Sequence, residues 1–211
     1  MSDLKGKTVG IPAIGASPDY ALGFILKKYG LRAGEDLKIT QTGGMPNSVA
    51  ALEKRLVAAA MLSFPSRLLA RKMGMVELVD LVEENWIYPA STLTLRREFL
   101  ASQPDLLKRT VKSYLEGIHR YYGDRDFAIR VVAHHTRTRD IRAVEVTYDA
   151  LKKALVGAKP YVPREGIAVT LQSLAVKRPE ISRLEPDRYI RDEYVKQFDD
   201  SGFIDSLYRK H

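Results

Sequence analysis

The sequence contains no cysteine among its 211 residues. This absence excludes disulfide bonds, thiolate metal sites and a cysteine nucleophile. It leaves the cellular compartment open, because both cytosolic and exported proteins can lack cysteine.

Long apolar runs are missing as well. No window approaches the roughly 18 uninterrupted apolar residues that a membrane-spanning helix needs. The opening MSDLKGKTVG lacks the apolar centre of a signal peptide. Because 45% of the residues are hydrophobic, we expect a compact globular chain with neither a membrane span nor an export signal of its own.

A basic patch of the kind that binds nucleic acid is not evident from the charge distribution. The formal net charge is +8, of which residues 1–90 carry +2, from 11 basic and 9 acidic side chains. The remaining +6 is interleaved with acids, as in RDIRAVE and DRYIRDEYVK. Such mixing is typical of solvated helix faces, so no nucleic-acid partner is expected.

Two alternating periods organise the first ninety residues. Short apolar or β-branched runs occupy residues 8–11, 37–41, 57–62 and 76–81, while helical spacing covers residues 19–29, 47–54 and 66–73. This βαβαβαβ series predicts an α/β fold with a parallel sheet and helices on both faces, because short connections and right-handed crossovers favour that arrangement.

The character of the sequence changes after residue 91. One further strand is predicted at residues 93–95. Helices are predicted at residues 104–122, 124–135, 140–156, 164–176, 191–199 and 203–209. We therefore expect two parts: an α/β ligand-binding lobe at residues 3–90 and a mainly helical segment at residues 91–211.

Several stretches resemble one protein family along nearly the whole chain. They are LKGKTVG with the turn and helix after it, KKYGLRAGEDLKITQTGG, MPNSVAALEKRLVAAAMLSFP, QPDLLKRTVKSYLEGIHRYY and DSGFIDSLY. Together they resemble the solute-binding proteins of ABC importers for nitrate, sulfonates, taurine and thiamine-type pyrimidine precursors.

The resemblance implies a type 2 periplasmic-binding-protein fold, in which two α/β lobes hold a ligand between them. This sequence begins where the second lobe of the family begins, so the N-terminal part of lobe one is expected to be lacking and the helical segment to belong to an incomplete lobe one. The resemblance also implies an ABC permease as partner and a periplasmic or extracytoplasmic location.

Two positions depart from the family pattern. Arg55 stands where the family usually has glycine, and it is strained if that position needs a left-handed backbone. Ala58 stands where the family usually has aspartate at the opening of the next strand.

Three small-residue turns are the candidate ligand site. Ligands of open parallel sheets lie beyond the carboxyl ends of the strands, where AIGASP, TGGMP and SFP are expected. Gly15, Ala16 and Ser17 precede a helix whose N-terminal N–H groups and partial positive charge suit a small anionic ligand. The resemblance implies the same role for this turn.

Each candidate has a structural alternative. Ser17 and Ser63 can each be the N-cap of the helix that follows. Gly43 and Gly44 can serve the chain reversal alone. Trp86 and Tyr88 can stack on a ligand or pack the connection between the lobes.

The sequence gives little support for a catalytic site or a metal site. His134 and His135 point about 100° apart on a helix, which disfavours a shared ion, and Glu83 and Glu84 are adjacent rather than facing. No phosphate-binding loop, nucleophile elbow or zinc-binding helix occurs. We expect no cofactor, no metal and no enzyme activity.

Two alternatives stay open. One is an enzyme that makes the thiamine pyrimidine, although that family carries a cysteine-rich motif absent here. The other is the effector-binding domain of a regulator, although no helix-turn-helix precedes Thr8.

A homodimer is also predicted. In the family, the apolar stripe of Leu106, Val111, Leu115 and Ile118 would rest on strands that this chain does not encode. Apolar surface left in water costs about 25 cal/mol per Å². A second copy is expected to cover the stripe in a two-fold dimer, for which exchange of segments around residues 84–91 is one route; the alternative is a monomer in which these helices fold back onto the chain's own sheet.

Overall fold

The computed structural model describes residues 1–81, 83–84, 86–89, 92–154, 159–176 and 178–209. The chain divides into two compact units, Met1–Trp86 and Ile87–His211. The first is α/β and the second is helical, so the predicted fold class is confirmed. The predicted division falls between residues 90 and 91, which lie outside the described residues.

A three-stranded parallel sheet forms the centre of the first unit. Its strands are β1 (Thr8–Ile11), β2 (Lys38–Gln41) and β3 (Ala59–Ala60), in the order β2-β1-β3. Val9 pairs with Ile39 on one side and with Ala59 on the other. The central strand is the most buried of the three, because it has a neighbour on each side.

Three helices accompany these strands: α1 (Ser17–Lys28), α2 (Met45–Glu53) and α3 (Ser66–Lys72). Leu22 and Leu26 lie one turn apart on α1 and pack against Val9 and Ile11 in the largest core cluster of this unit. Burying an aliphatic side chain of this size contributes about 1.5–3 kcal/mol, so this contact fixes α1 on the sheet.

The predicted strand at residues 76–81 is wrong. Those residues are all described, and they form no strand. Glu77 and Asp80 instead form ion pairs with Arg67, while Val76 is 82% exposed. A strand needs a neighbour to receive its backbone hydrogen bonds, and this segment has side-chain partners in place of one.

Seven α-helices are described in the second unit. They are α4 (Arg97–Ser102), α5 (Pro104–Gly123), α6 (Arg125–Thr136), α7 (Ile141–Ala154), α8 (Arg164–Ala175), α9 (Glu193–Asp200) and α10 (Phe203–Tyr208). Short 3-10 helices occupy Pro179–Arg183 and Pro186–Arg188. Residue 156, the predicted end of α7, lies outside the described residues.

The strand predicted at residues 93–95 does not form either. Leu93 is half exposed, and Leu95 packs against the helical core of this unit. Thr92 and Thr94 approach each other through their hydroxyl groups at 3.4 Å. Side-chain packing therefore holds this stretch in place of a backbone ladder.

The expectation that the apolar stripe of α5 has no cover within the chain is wrong for two of its four residues. Val111 and Leu115 are buried against Ile204, with Phe198 and Phe203 around them. Leu106 remains 41% exposed. Part of the apolar surface from which the homodimer was predicted is therefore already buried within the chain. The homodimer stays a prediction that light scattering can test.

Arg55 confirms the strain expected from the sequence. Its φ is +55°, in the left-handed region, and the next N–H, from Leu56, donates to the carbonyl of Ala51 at 2.9 Å. This pattern ends many helices, and glycine is its usual residue because the left-handed backbone penalises a Cβ atom.

Candidate functional site

The carboxyl edge, where all three strands end, carries the three predicted turns. They lie at residues 12–16 after β1, 42–44 after β2 and 61–65 after β3. The strand order β2-β1-β3 means that the chain reverses its direction of travel beside β1. Ligands of open α/β sheets bind at such a reversal, so the edge between β1 and β3 is favoured.

Hydrogen bonds join the first two turns. The N–H of Ile14 donates to Oε1 of Gln41 at 2.9 Å, and the N–H of Gly43 donates to the carbonyl of Pro12 at 3.0 Å. The turns after β1 and β2 are therefore held side by side.

The start of α1 differs from the sequence interpretation by one residue. Ala16 is the N-cap and Ser17 is the first helical residue, so Ser17 does not cap the helix. Pro18 occupies the second helical position, where its missing N–H costs no intrahelical hydrogen bond. Within the described residues, neither the N–H nor the hydroxyl of Ser17 has a hydrogen-bond partner, which leaves two donors at one position.

Asp19 is a site residue that sequence reasoning missed. Its Oδ2 accepts the N–H of Gly15 at 2.8 Å, while Gly15 has φ +79°. The carboxylate thus occupies one of the positions that an anion would take at the start of α1. The signal available in the sequence was an acidic residue in the first turn of a helix, where it complements the macrodipole.

Side chains brace the second turn. Gly43 and Gly44 both have positive φ, at +85° and +157°, as a chain reversal requires. The hydroxyl groups of Thr42 and Ser48 are 2.6 Å apart, and Ser48 is fully buried. Asn47 donates to the carbonyl of Thr42 at 3.1 Å. Sequence reasoning missed these three braces, since only the fold brings them together.

Ser63 does not cap α3. The N-cap is Pro65, after a cis bond from Phe64, and Ser63 is exposed. Its carbonyl accepts the N–H of Arg67 at 2.9 Å. Ser63 nevertheless belongs to the turn after β3 at the carboxyl edge.

Arg67 anchors this third turn. Its guanidinium lies 5.1 Å from the Phe64 ring centre and pairs with Asp80 and Glu77, each at 2.6 Å. Partial burial opposes the charge, but the hydrogen bonds to the two carboxylates outweigh it and raise the pKa of Arg67. The turn is therefore fixed by a charged cluster that is largely neutralised.

Trp86 lies away from these turns, beside the second half of α1. Its ring centre is 6.0 Å from that of Phe24. Glu84 forms an ion pair with Lys28 and accepts a 3.4 Å hydrogen bond from the Tyr29 hydroxyl. Tyr88 is half-buried and belongs to the second unit.

A polar cavity of about 410 Å³ opens beside α2. Five of its lining residues carry a hydroxyl or amide group, and one is Lys54. The lining residues are Thr8, Thr40, Gln41, Thr42, Asn47, Ala50, Ala51, Lys54, Leu56 and Val57.

Comparison with known proteins places the chain in a family. The NMT1-like family matches residues 1–135, which include all three turns. The chain belongs to the NMT1-like family. A comparison with curated proteins found no match.

The fold of this NMT1-like chain is shared with a solved structure from Bordetella bronchiseptica RB50. The TM-score is 0.70 at 18% sequence identity, and the match covers 95% of this chain. It covers 66% of the other chain, so the present chain spans just under two thirds of that protein. At this identity the likeness shows the fold alone.

The NMT1-like family contains solute-binding proteins of ABC-type transporters and related proteins. Members are mostly substrate-binding proteins rather than enzymes, and they are typically periplasmic or extracytoplasmic. Among the described residues, no cluster of histidine and carboxylate side chains fits a metal ion. No described helix is long and apolar enough to cross a membrane.

Proposed function

We propose that this NMT1-like chain is the solute-binding component of an ABC-type importer and that its carboxyl edge holds a small anionic organic ligand. The observation that carries the proposal is the turn at residues 12–16. It follows the central strand beside the reversal of strand order and leads into α1 with both donors of Ser17 available.

The proposed ligand residues are the predicted ones with their roles adjusted. Ser17 supplies the N–H and hydroxyl donors, while Gly15, Ala16, Gly43 and Gly44 allow close approach of the ligand to the backbone. Ser63 contributes from the third turn. The roles of Trp86 and Tyr88 in stacking stay predictions from the sequence, since Trp86 packs on Phe24 away from the three turns.

The negative charge of Asp19 favours some of the candidate ligands over others. Its carboxylate lies in the first turn of α1 and repels a simple anion such as nitrate. A ligand that carries an amino or ammonium group beside its anionic group gains a hydrogen-bond acceptor instead. Taurine-like aminosulfonates therefore rank above nitrate and plain aromatic carboxylates. Aminopyrimidine precursors rank with them, because they carry an amino group that Asp19 can accept and no anionic group that it repels.

The complete importer implies an ABC permease as partner and an extracytoplasmic location. A catalytic role gains no support from the site, because the turns offer donors and small residues rather than an acid–base pair. The same fold used as the effector domain of a regulator would bind its ligand at the same edge, and deletion of a cognate permease would leave such a protein's function intact.

Isothermal titration of the full chain with taurine, an aminopyrimidine, nitrate and benzoate tests the proposal. We expect the first two to bind more tightly. The double variant Gly15→Val/Ser17→Ala should weaken binding by about 1–3 kcal/mol, because a charge-assisted hydrogen bond and the close backbone approach are lost.

A matched variant controls for backbone strain. Gly34 also has positive φ, at +85°, with open space around its missing Cβ atom, and Ser2 begins a 3-10 helix. Gly34→Val/Ser2→Ala should leave ligand binding unchanged. Equal losses in both double variants would remove the site from the α1 turn, and absence of binding by every ligand would overturn the proposed function for this chain.

A further inference from the structure

The hairpin of α6 and α7 is exposed and basic. Residues 130–142, here called the basic hairpin, contain four arginines and one acidic residue, a net +3 of the +8 carried by the whole chain. The arginines are Arg130, Arg137, Arg139 and Arg142. All four are exposed, and none forms an ion pair within the part of the chain that the structure describes. Other exposed arginines, such as Arg125 and Arg164, are paired with aspartates.

Helix stability does not explain three of these side chains. Arg137 ends α6 with φ +53°, where glycine would avoid the penalty on a Cβ atom. Arg139 and Arg142 lie on either side of Asp140, whose Oδ1 accepts the N–H of Ala143 at 2.9 Å at the start of α7; no acidic residue follows in the first turn of the helix. A cation there opposes the helix macrodipole. Positions that break local rules are the ones at which a function is expected.

An exposed apolar side chain lies among these charges. Ile141, the first residue of α7, is 47% exposed and lies between Asp140 and Arg142 in the sequence, two residues after Arg139. Arginine forms bidentate hydrogen bonds with phosphate groups. Helices that lie at the boundary between lipid headgroups and acyl chains combine cations on a polar face with apolar side chains that enter that boundary.

We propose that the basic hairpin docks on a membrane surface rich in anionic phospholipid headgroups. Arg137, Arg139 and Arg142 contact the phosphates, and Ile141 enters the headgroup region. An acidic protein surface would also attract the arginines, but it gives no role to the exposed isoleucine. The proposal does not depend on the ligand site, because the basic hairpin belongs to the second unit and the α1 turn to the first.

Co-sedimentation of the full chain with lipid vesicles tests this proposal. We expect the chain to bind vesicles of phosphatidylcholine with phosphatidylglycerol, and not vesicles of phosphatidylcholine alone. Binding should fall as salt rises, because surface charges are screened over about 10 Å at 0.1 M ionic strength. The variant Arg137→Gln/Arg139→Gln/Arg142→Gln should bind at least about tenfold more weakly, since each cation near an anionic membrane contributes measurably.

A second triple variant separates the hairpin from net charge. Arg178, Arg183 and Arg188 are also exposed, but they alternate with the acids Glu180, Glu185 and Asp187. Arg178→Gln/Arg183→Gln/Arg188→Gln removes the same charge and should bind vesicles within about twofold of wild type. Far-ultraviolet circular dichroism confirms that both variants remain folded.

Three results would contradict membrane docking by the basic hairpin. Equal losses of vesicle binding in the two triple variants would show that only the net charge of the protein matters, and would overturn the proposal. So would wild-type binding to soluble polyglutamate without binding to anionic vesicles, which would assign the hairpin to an acidic protein. Ile141→Ser should weaken vesicle binding and leave polyglutamate binding unchanged. Unchanged vesicle binding with weakened polyglutamate binding would also contradict docking on a membrane.

Discussion

Replacement of Asp19 by asparagine should change the ligand preference in opposite directions for two ligand classes. The side-chain oxygen of the introduced asparagine can still accept the Gly15 N–H, which Asp19 accepts at 2.8 Å in the wild type. The substitution therefore removes the charge and keeps the local hydrogen bond. Nitrate should bind more tightly, and taurine should bind more weakly because its ammonium group loses a carboxylate.

The magnitude follows from the position of the charge. An anion on the Ser17 donors lies close to a half-buried carboxylate two residues away. At 4 Å two unit charges interact by about 1 kcal/mol in water and about 4 kcal/mol at an effective dielectric constant of 20. An intermediate value of about 1–2 kcal/mol corresponds to a gain of about 5–30-fold for nitrate.

Calorimetric titration of wild type and Asp19→Asn with both ligands measures this change. Asp105→Asn is the matched control, because Asp105 is an acid in the first turn of α5 in the other unit. Removal of Asp19 also loses its interaction with the α1 macrodipole, about 0.3–1 kcal/mol, so thermal unfolding should accompany the titration. Nitrate affinity that is unchanged or lower in a folded Asp19→Asn protein would refute the repulsion on which the ligand ranking rests.

Three further predictions concern stability. Arg55→Gly should stabilise the first unit by about 0.5–1 kcal/mol in urea unfolding, because relief of about 1–2 kcal/mol of left-handed strain exceeds the entropy gained by the unfolded chain. Arg55→Ala should bring little gain, because alanine keeps the Cβ atom. Equal stabilisation by both variants would show that the benefit comes from removal of the charge. Leu115→Ala should cost about 2–5 kcal/mol through a cavity beside Ile204, and a cost as small as that of Leu106→Ala would contradict the observed packing. Hydrogen bonds from Lys159 and Tyr161 lower the pKa of Asp199. Its contribution to the stability of the folded state is therefore present above the unfolded pKa of about 4 and is lost as pH falls through the lower folded value. The stability of Asp199→Asn should fall less steeply with acid than that of wild type, and identical pH dependence of the two proteins would show that Asp199 does not contribute.

Sequence patterns predicted the elements whose determinants are local. The bounds of β1 match, and those of β2 match to within one residue, because both runs contain apolar or β-branched residues and are bounded by turn residues. The glycine-like position of Arg55 followed from the family resemblance, which places glycine after the second helix. The resemblance pointed to the family that the comparison then showed.

Elements that depend on distant partners could not be predicted in this way. The strand predicted at residues 57–62 shrank to Ala59–Ala60, since a strand extends only as far as a neighbour pairs with it. The bonds of Gln41 to Ile14 and of Thr42 to Ser48 likewise depend on how the fold places the two turns. The hydrogen bond between Asp19 and Gly15 depends on the conformation of a side chain that spans four residues. Residue composition and the spacing of apolar residues do not predict that conformation.

The contact between Phe24 and Trp86 gives the protein a built-in optical probe. Trp86 is the single tryptophan of the chain, and α1 extends from the proposed ligand turn to the residues that meet Trp86 and Glu84. A helix is stiff over three turns, so a tilt of α1 caused by a ligand at Ser17 moves Phe24 against the indole ring. Intrinsic fluorescence should then follow ligand binding without any label, and Phe24→Leu should reduce the signal while leaving the affinity unchanged.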